Sequence, residues 1–97
     1  MTIEELAKAI DEKVGGRTLL EATVKFDCAD DGCVFVDGHT GSVSMDNKEA
    51  DCTISLDKDV LEDLLNGEQN AAAAFMMGKI KLDGDAGIAM QLGELFN

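Results

Sequence analysis

GEQNAAAAFMMGKIKLDGDAGIAMQL, residues 67–92, is the stretch on which the reading of this chain turns. Gly67 stops one helix, because glycine takes the left-handed conformation that closes a helix without strain. Asn70 is placed to cap a second, short helix built on Ala71, Ala72, Ala73 and Ala74 and running to Met77. Gly78 breaks it. Residues 79–83 then alternate, with Ile80 and Leu82 on one face and Lys79 and Lys81 on the other, the period of a half-buried strand. Gly84 turns the chain, and Asp85 can cap a last helix with Ile88, Ala89, Leu92, Leu95 and Phe96 on its apolar side. The segment therefore predicts helix, helix, strand, helix.

Working outward, residues 50–56 also alternate. Ala50, Cys52, Ile54 and Leu56 share one face, and Asp51, Thr53 and Ser55 the other. Asp57 is placed to cap the helix carrying Val60, Leu61, Leu64 and Leu65. Further back, Leu20, Ala22, Val24, Phe26 and Cys28 form the inward face of a strand. Ala29-Asp30-Asp31-Gly32 reads as a four-residue hairpin loop, and residues 33–37 return as its partner. A turn at Gly38-His39-Thr40-Gly41 leads to a short strand over residues 42–46. At the start, Thr2 and Glu5 form a capping box ahead of an amphipathic helix with Ile3, Leu6, Ala7, Ile10 and Val14 on one stripe, ended by Gly15-Gly16. The order is α-β-β-β-β-α-α-β-α. Strands and helices do not alternate, so the expectation is α+β: a five-stranded mixed sheet with helices packed on one face, in a single domain over residues 1–97.

Composition narrows function. The chain has 8 Lys+Arg against 20 Asp+Glu, so its average field repels nucleic acid and anionic membranes. Four Phe with no Trp or Tyr argue against base-stacking platforms. At 45% hydrophobic the chain still has enough apolar residues for a core, which argues against disorder. The acidic start Met1-Thr2-Ile3-Glu4-Glu5 is not a secretory leader, and no apolar run has the roughly 18 residues of a membrane span. The expectation is a cytoplasmic protein with reduced thiols and no stable membrane insertion.

No constellation carries catalytic chemistry. His39 is the only histidine and sits in a turn without a nucleophile motif beside it. Cys28 and Cys33 flank the first hairpin loop and are placed to face each other. A disulfide or metal clip there competes with a simpler reading of Cys28 and Cys52 as small buried hydrophobes. The fragments Asp83-Gly84-Asp85 and Asp27 with Asp30-Asp31 lack the ligand spacing of a calcium loop. No catalytic residue, metal or cofactor is expected. What remains is an apolar, methionine-rich excess: Phe75, Met76 and Met77 are consecutive and cannot share one helix face, and Met90 lies off its helix's stripe. On composition alone ordinary core filling explains it; the other reading is a surface that holds an apolar ligand.

Residues 50–56, Leu64-Leu65-Asn66-Gly67-Glu68-Gln69-Asn70, residues 74–85 and Gly87-Ile88-Ala89-Met90-Gln91-Leu92 resemble the sterol carrier protein type 2 domain, the sterol-binding or non-specific lipid-transfer family. The most specific part is Phe75-Met76-Met77-Gly78-Lys79-Ile80-Lys81-Leu82-Asp83-Gly84; before residue 50 the likeness is one of element order. The resemblance implies a five-stranded sheet covered by helices, with an apolar tunnel between them for fatty acid, fatty acyl-CoA or sterol-like ligands, and no catalytic residues. It implies a tunnel lining of Phe75, Met76, Ile80, Leu82, Ile88, Met90, Leu92 and Phe96, with Gly78 and Gly84 as hinges. Three features depart from the family pattern, one being that the basic residues of members that dock on anionic membranes have little counterpart here. Ala71 stands where a proline is frequent, and the chain ends Leu95-Phe96-Asn97 without a peroxisomal tripeptide. A compact, free-standing prokaryotic version is expected. The alternative function is a structural or protein-interaction module, a homodimer joined through the apolar terminal helix.

Overall fold

The structure is a computed structural model and describes residues 2–14, 22–85, 87–88 and 91. Helix α1, Ile3–Val14, begins as expected. The Thr2 amide donates to Glu5 Oε1 at 3.0 Å and the Glu5 amide to Thr2 Oγ1 at 3.2 Å, which closes the capping box. Gly15 and Gly16 lie outside the described residues.

Strands β1 (Thr23–Asp27), β2 (Cys33–Asp37), β3 (Ser42–Ser44), β4 (Cys52–Leu56) and β5 (Ile80–Gly84) form one sheet in the order β3-β2-β1-β4-β5. β1 and β4 are parallel; the other pairs are antiparallel. The fold is α+β with a mixed sheet. The parallel pair follows from the long connection after β3, which carries the chain back over β2 and β1 to their far side. That connection covers the outer face of the sheet: Cys33 Sγ donates to the carbonyls of Met45 and Asp46, and Lys25 Nζ donates to Asn47 Oδ1 at 3.1 Å. The Lys48 ammonium lies 5.3 Å from the centre of the Phe35 ring. Phe35 is therefore buried although it stands on the outward phase of β2.

Register places the apolar positions on the other face. Val24 pairs with Val36 and with Cys52, Phe26 with Val34 and with Ile54, and Ile54 and Leu56 with Leu82 and Ile80. Helices α1, α2 (Lys58–Asn66) and α3 (Ala71–Met76) close this face with Leu6, Ile10, Leu61, Leu64 and Ala74, all buried. Fully burying a side chain of this kind contributes roughly 1.5–3 kcal/mol, so this single cluster is the main source of stability. Asp57 stands at the N-cap of α2 with extended backbone but makes no side-chain capping bond, a departure from the expected cap. Gly67 ends α2 in the left-handed conformation. Asn70 caps α3 as expected, its Oδ1 accepting the Ala73 amide at 3.2 Å.

The first hairpin differs from expectation. Residues Ala29–Asp31 form a 3-10 turn, and the register pairs Asp27, not Cys28, with Cys33. Cys28 stays on the inward phase and is buried, while Cys33 is on the outward phase, so the two thiols do not face each other. All three cysteines are free. Among the described residues no group of three or more His, Cys, Asp or Glu is placed to hold a metal ion.

Candidate functional site

The end of α3 and the start of β5 make an elbow. The Lys79 amide donates to the Ala74 carbonyl and the Gly78 amide to the Phe75 carbonyl, the bonding that reverses a chain at a helix C-terminus. Gly78 has φ +76 and open space around it, as that turn requires. Beyond the elbow β5 runs antiparallel to β4 and forms the sheet edge.

The eight residues read from the sequence as a ligand wall divide into three groups. Ile80 is buried against Leu56, and Leu82 and Ile88 are partly buried against the core. Phe75 and Met76 stand at the surface, 51% and 86% exposed. The reason is geometric: α3 has six residues, its inward position is taken by Ala74, and the two that follow fall on the outward side. Met90, Leu92 and Phe96 lie outside the described residues. Gly87, Ile88 and Gln91 have helical backbone, and the Gly87 amide donates to Asp85 Oδ1 at 2.9 Å, the cap expected at the start of the terminal helix.

Gly84 is not a hinge. It is the last residue of β5, paired with Cys52, at φ +104, and a Cβ there would collide with the Asp51 carbonyl oxygen. Its role is to let two backbones approach where β5 leaves the sheet.

A groove of about 550 Å³ opens beside the elbow. Its floor is the outer face at the ends of β1, β4 and β5, where the register sets Asp27 beside Ser55 and Ser55 beside Lys81. Asp57, Val60, Gly78 and Lys79 complete it. The volume is that of a small-molecule pocket, and the lining sets two carboxylates and two ammonium groups beside the apolar surface of Ala29, Leu56 and Val60. Sequence reading missed Asp27, Ser55 and Asp57 as neighbours of the lysines; the strand register brings them together. His39 lies exposed in its turn, its amide donating to Asp37 Oδ1.

Titration marks Cys28. Burial, reinforced by the carboxylates of Asp31 and Asp27, raises its thiol to about 11, which makes it a poor nucleophile.

The fold defines the class, an α+β domain whose five-stranded mixed sheet is sealed on one face by helices. The SCP-2 sterol transfer family matches residues 3–97, and this chain belongs to that family. Sterol carrier protein 2 of Rattus norvegicus is 45% identical over 64 residues, 64% of this chain and 12% of the rat protein, so the chain spans a small part of that relative's length. Palmitated SCP2L2 of Aedes aegypti shares the fold at a TM-score of 0.83 and 22% identity, covering 100% of this chain and 96% of the mosquito chain. Sterol Carrier Protein 2 of Yarrowia lipolytica in its apo form has a TM-score of 0.67 and 26% identity, covering 95% of this chain and 77% of the yeast chain.

Proposed function

We propose that this chain is a carrier without catalytic residues that binds a lipid-like ligand, a fatty acid, fatty acyl-CoA or sterol-like molecule, in an apolar tunnel between the sheet and the C-terminal helices. The observation that carries the reading is that apolar surface continues past the closed core on the β5 side. Val60, which shares the groove with Gly78 and Lys79, and Leu82 and Ile88 are each only partly buried there. Family membership over residues 3–97 and the fold shared with a palmitated mosquito protein support it.

Ile80, Leu82 and Ile88 would form one wall and Phe75 and Met76 the mouth, and Met90, Leu92 and Phe96 belong to the proposed lining on their sequence alone. The driving force is removal of hydrocarbon from water, about 0.8 kcal/mol per CH₂. A twelve-carbon tail would contribute roughly 10 kcal/mol before ordering costs. Lys79 and Lys81 stand on the outward phase of β5, so recognition rests on the tail and selectivity among head groups is weak. The expected setting is the cytoplasm, in keeping with three free thiols.

The experiment is titration of delipidated protein with a fluorescent fatty acid, with native mass spectrometry of the protein as purified. Saturable binding at one site, or a co-purified lipid, supports the reading. Folded protein that binds no fatty acid, acyl-CoA or sterol overturns it.

A further inference from the structure

β5 is an open edge. It ends the sheet order β3-β2-β1-β4-β5, and among the described residues no strand lies beyond it. Such an edge carries a row of unpaired N–H and C=O groups, a template for one more strand. The register says which groups these are. The Asp85 amide donates to the Asp51 carbonyl at 3.3 Å, and that pair continues the β4–β5 register. Antiparallel ladders alternate, so Lys81 and Asp83 turn their backbone groups to β4, and Ile80, Leu82 and Gly84 turn theirs to the open side.

Proteins commonly protect an edge with charge, and Lys79, Lys81, Asp83 and Asp85 are all exposed along this one. Among the described residues neither Lys81 nor Asp83 makes a side-chain hydrogen bond or ion pair. The order of the charges matters. Lys79-Ile80-Lys81-Leu82-Asp83-Gly84-Asp85 runs plus, plus, minus, minus about Leu82, so reversing the strand exchanges the signs. A second copy running antiparallel about a two-fold axis at Leu82 therefore sets Lys81 opposite Asp83 of the other copy, twice. It also sets the open backbone groups of Leu82 against each other and those of Ile80 against Gly84. Opposite charges placed directly across a strand pair stabilise it, and like charges destabilise it.

Other registers fail on charge. An axis at Lys81 or at Asp83 puts two lysines or two aspartates face to face. An axis at Ile80 sets Lys79 against Lys81, and one at Gly84 sets Asp83 against Asp85. A slip of one residue puts inward side chains opposite outward ones, and parallel pairing in register stacks every charge on its like.

We infer that β5 is a self-association edge: two copies of this chain pair antiparallel through Ile80–Gly84 about a two-fold axis at Leu82, with Lys81 of each opposite Asp83 of the other. Their two five-stranded sheets then join as one. Five residues a side make a small interface, so the contact is weak and reversible. Each copy carries a net charge of −12, and that repulsion is screened beyond about 8 Å at physiological ionic strength. The pairing does not depend on the lipid-carrier reading.

The test is sedimentation velocity of the whole chain at physiological ionic strength, with concentration raised to about 1 mM, the range of a weak complex. Wild-type protein is expected to show a reversible monomer–dimer equilibrium. Lys81→Asp alone and Asp83→Lys alone each set like charges opposite at two symmetric places and weaken association roughly tenfold. An equimolar mixture of the two variants restores it, because each edge then meets its complement. Lys81→Asp with Asp83→Lys in one chain restores it as well. In wild-type protein, hydrogen exchange of the Leu82 amide slows as concentration rises, a readout that needs no variant. The inference is overturned if wild-type protein stays monomeric throughout, or if a dimer forms and withstands both single substitutions, which gives the contact to another surface. It is equally overturned if the mixed variants, each folded by circular dichroism, fail to associate.

Discussion

Gly84 is the residue where a single methyl group would do most damage. Its φ of +104 disfavours any L side chain, and the Asp51 carbonyl fills the space a Cβ would occupy. Gly84→Ala should cost about 2–4 kcal/mol, read as a lower urea midpoint with an unchanged slope. The cysteines give a second expectation at this scale. Cys33 is partly exposed and should react first with a thiol reagent, while Cys28 and Cys52, both buried, wait for unfolding. Because the folded Cys28 thiol is raised above its ordinary value of 9.0, the folded state holds its proton more tightly than the unfolded chain does. Stability from this group is complete below about 9 and is lost as pH rises through about 11. A Cys28→Ala variant should lose that alkaline slope in denaturation measured across the same range.

Helix starts and turns belong to the element scale, and here local chemistry accounts for nearly everything. The bonds to Glu5 from Thr2, first its backbone amide and then its hydroxyl, hold the carboxyl below the usual range. A depressed carboxyl contributes stability that is present above its unfolded pKa and lost as pH falls through the folded one. Protection of the Leu6 amide in α1 should therefore decline on acidification in the wild type and become insensitive to pH in Glu5→Gln. Asn70→Ala should cost about 1 kcal/mol by leaving the Ala73 amide without its cap, seen as a lower thermal midpoint. The capping box, the Asn70 cap and the Asp85 cap were legible because each depends on residues three or fewer apart. Asp57 shows the limit: it occupies the right place in sequence and backbone, yet its side chain makes no cap bond.

For the whole molecule the decisive feature is a sheet with two unlike sides, one sealed by helices and one crossed by the connection from β3 to β4. Alternation in the sequence predicts the sealed side, since Val24, Phe26, Ile54, Leu56 and Ile80 all keep to one phase. It does not predict the crossing, and so Phe35 emerged as buried only in three dimensions. Leu82 tests the proposed ligand wall at this scale. It is partly buried opposite Ile54, so Leu82→Asp should leave the circular dichroism spectrum intact and reduce fatty-acid affinity by more than roughly tenfold.

Period-two and helical patterns, caps and glycine breaks were sufficient to determine the α+β class, the element order and the inward faces, because each arises from contacts between near neighbours in the chain. The family, too, was legible in the residues around Phe75 to Gly84. Tertiary structure alone decided the strand order, with β1 between β2 and β4, and the register that sets Asp27, Ser55 and Lys81 side by side. It also decided that Cys28 and Cys33 point to opposite faces, because a 3-10 turn shifts the hairpin by one residue. The elbow shows the division most clearly. Local sequence specifies the break at Gly78, but which of Phe75, Met76 and Met77 reach the core depends on how α3 meets β5, and the answer is that all three face water.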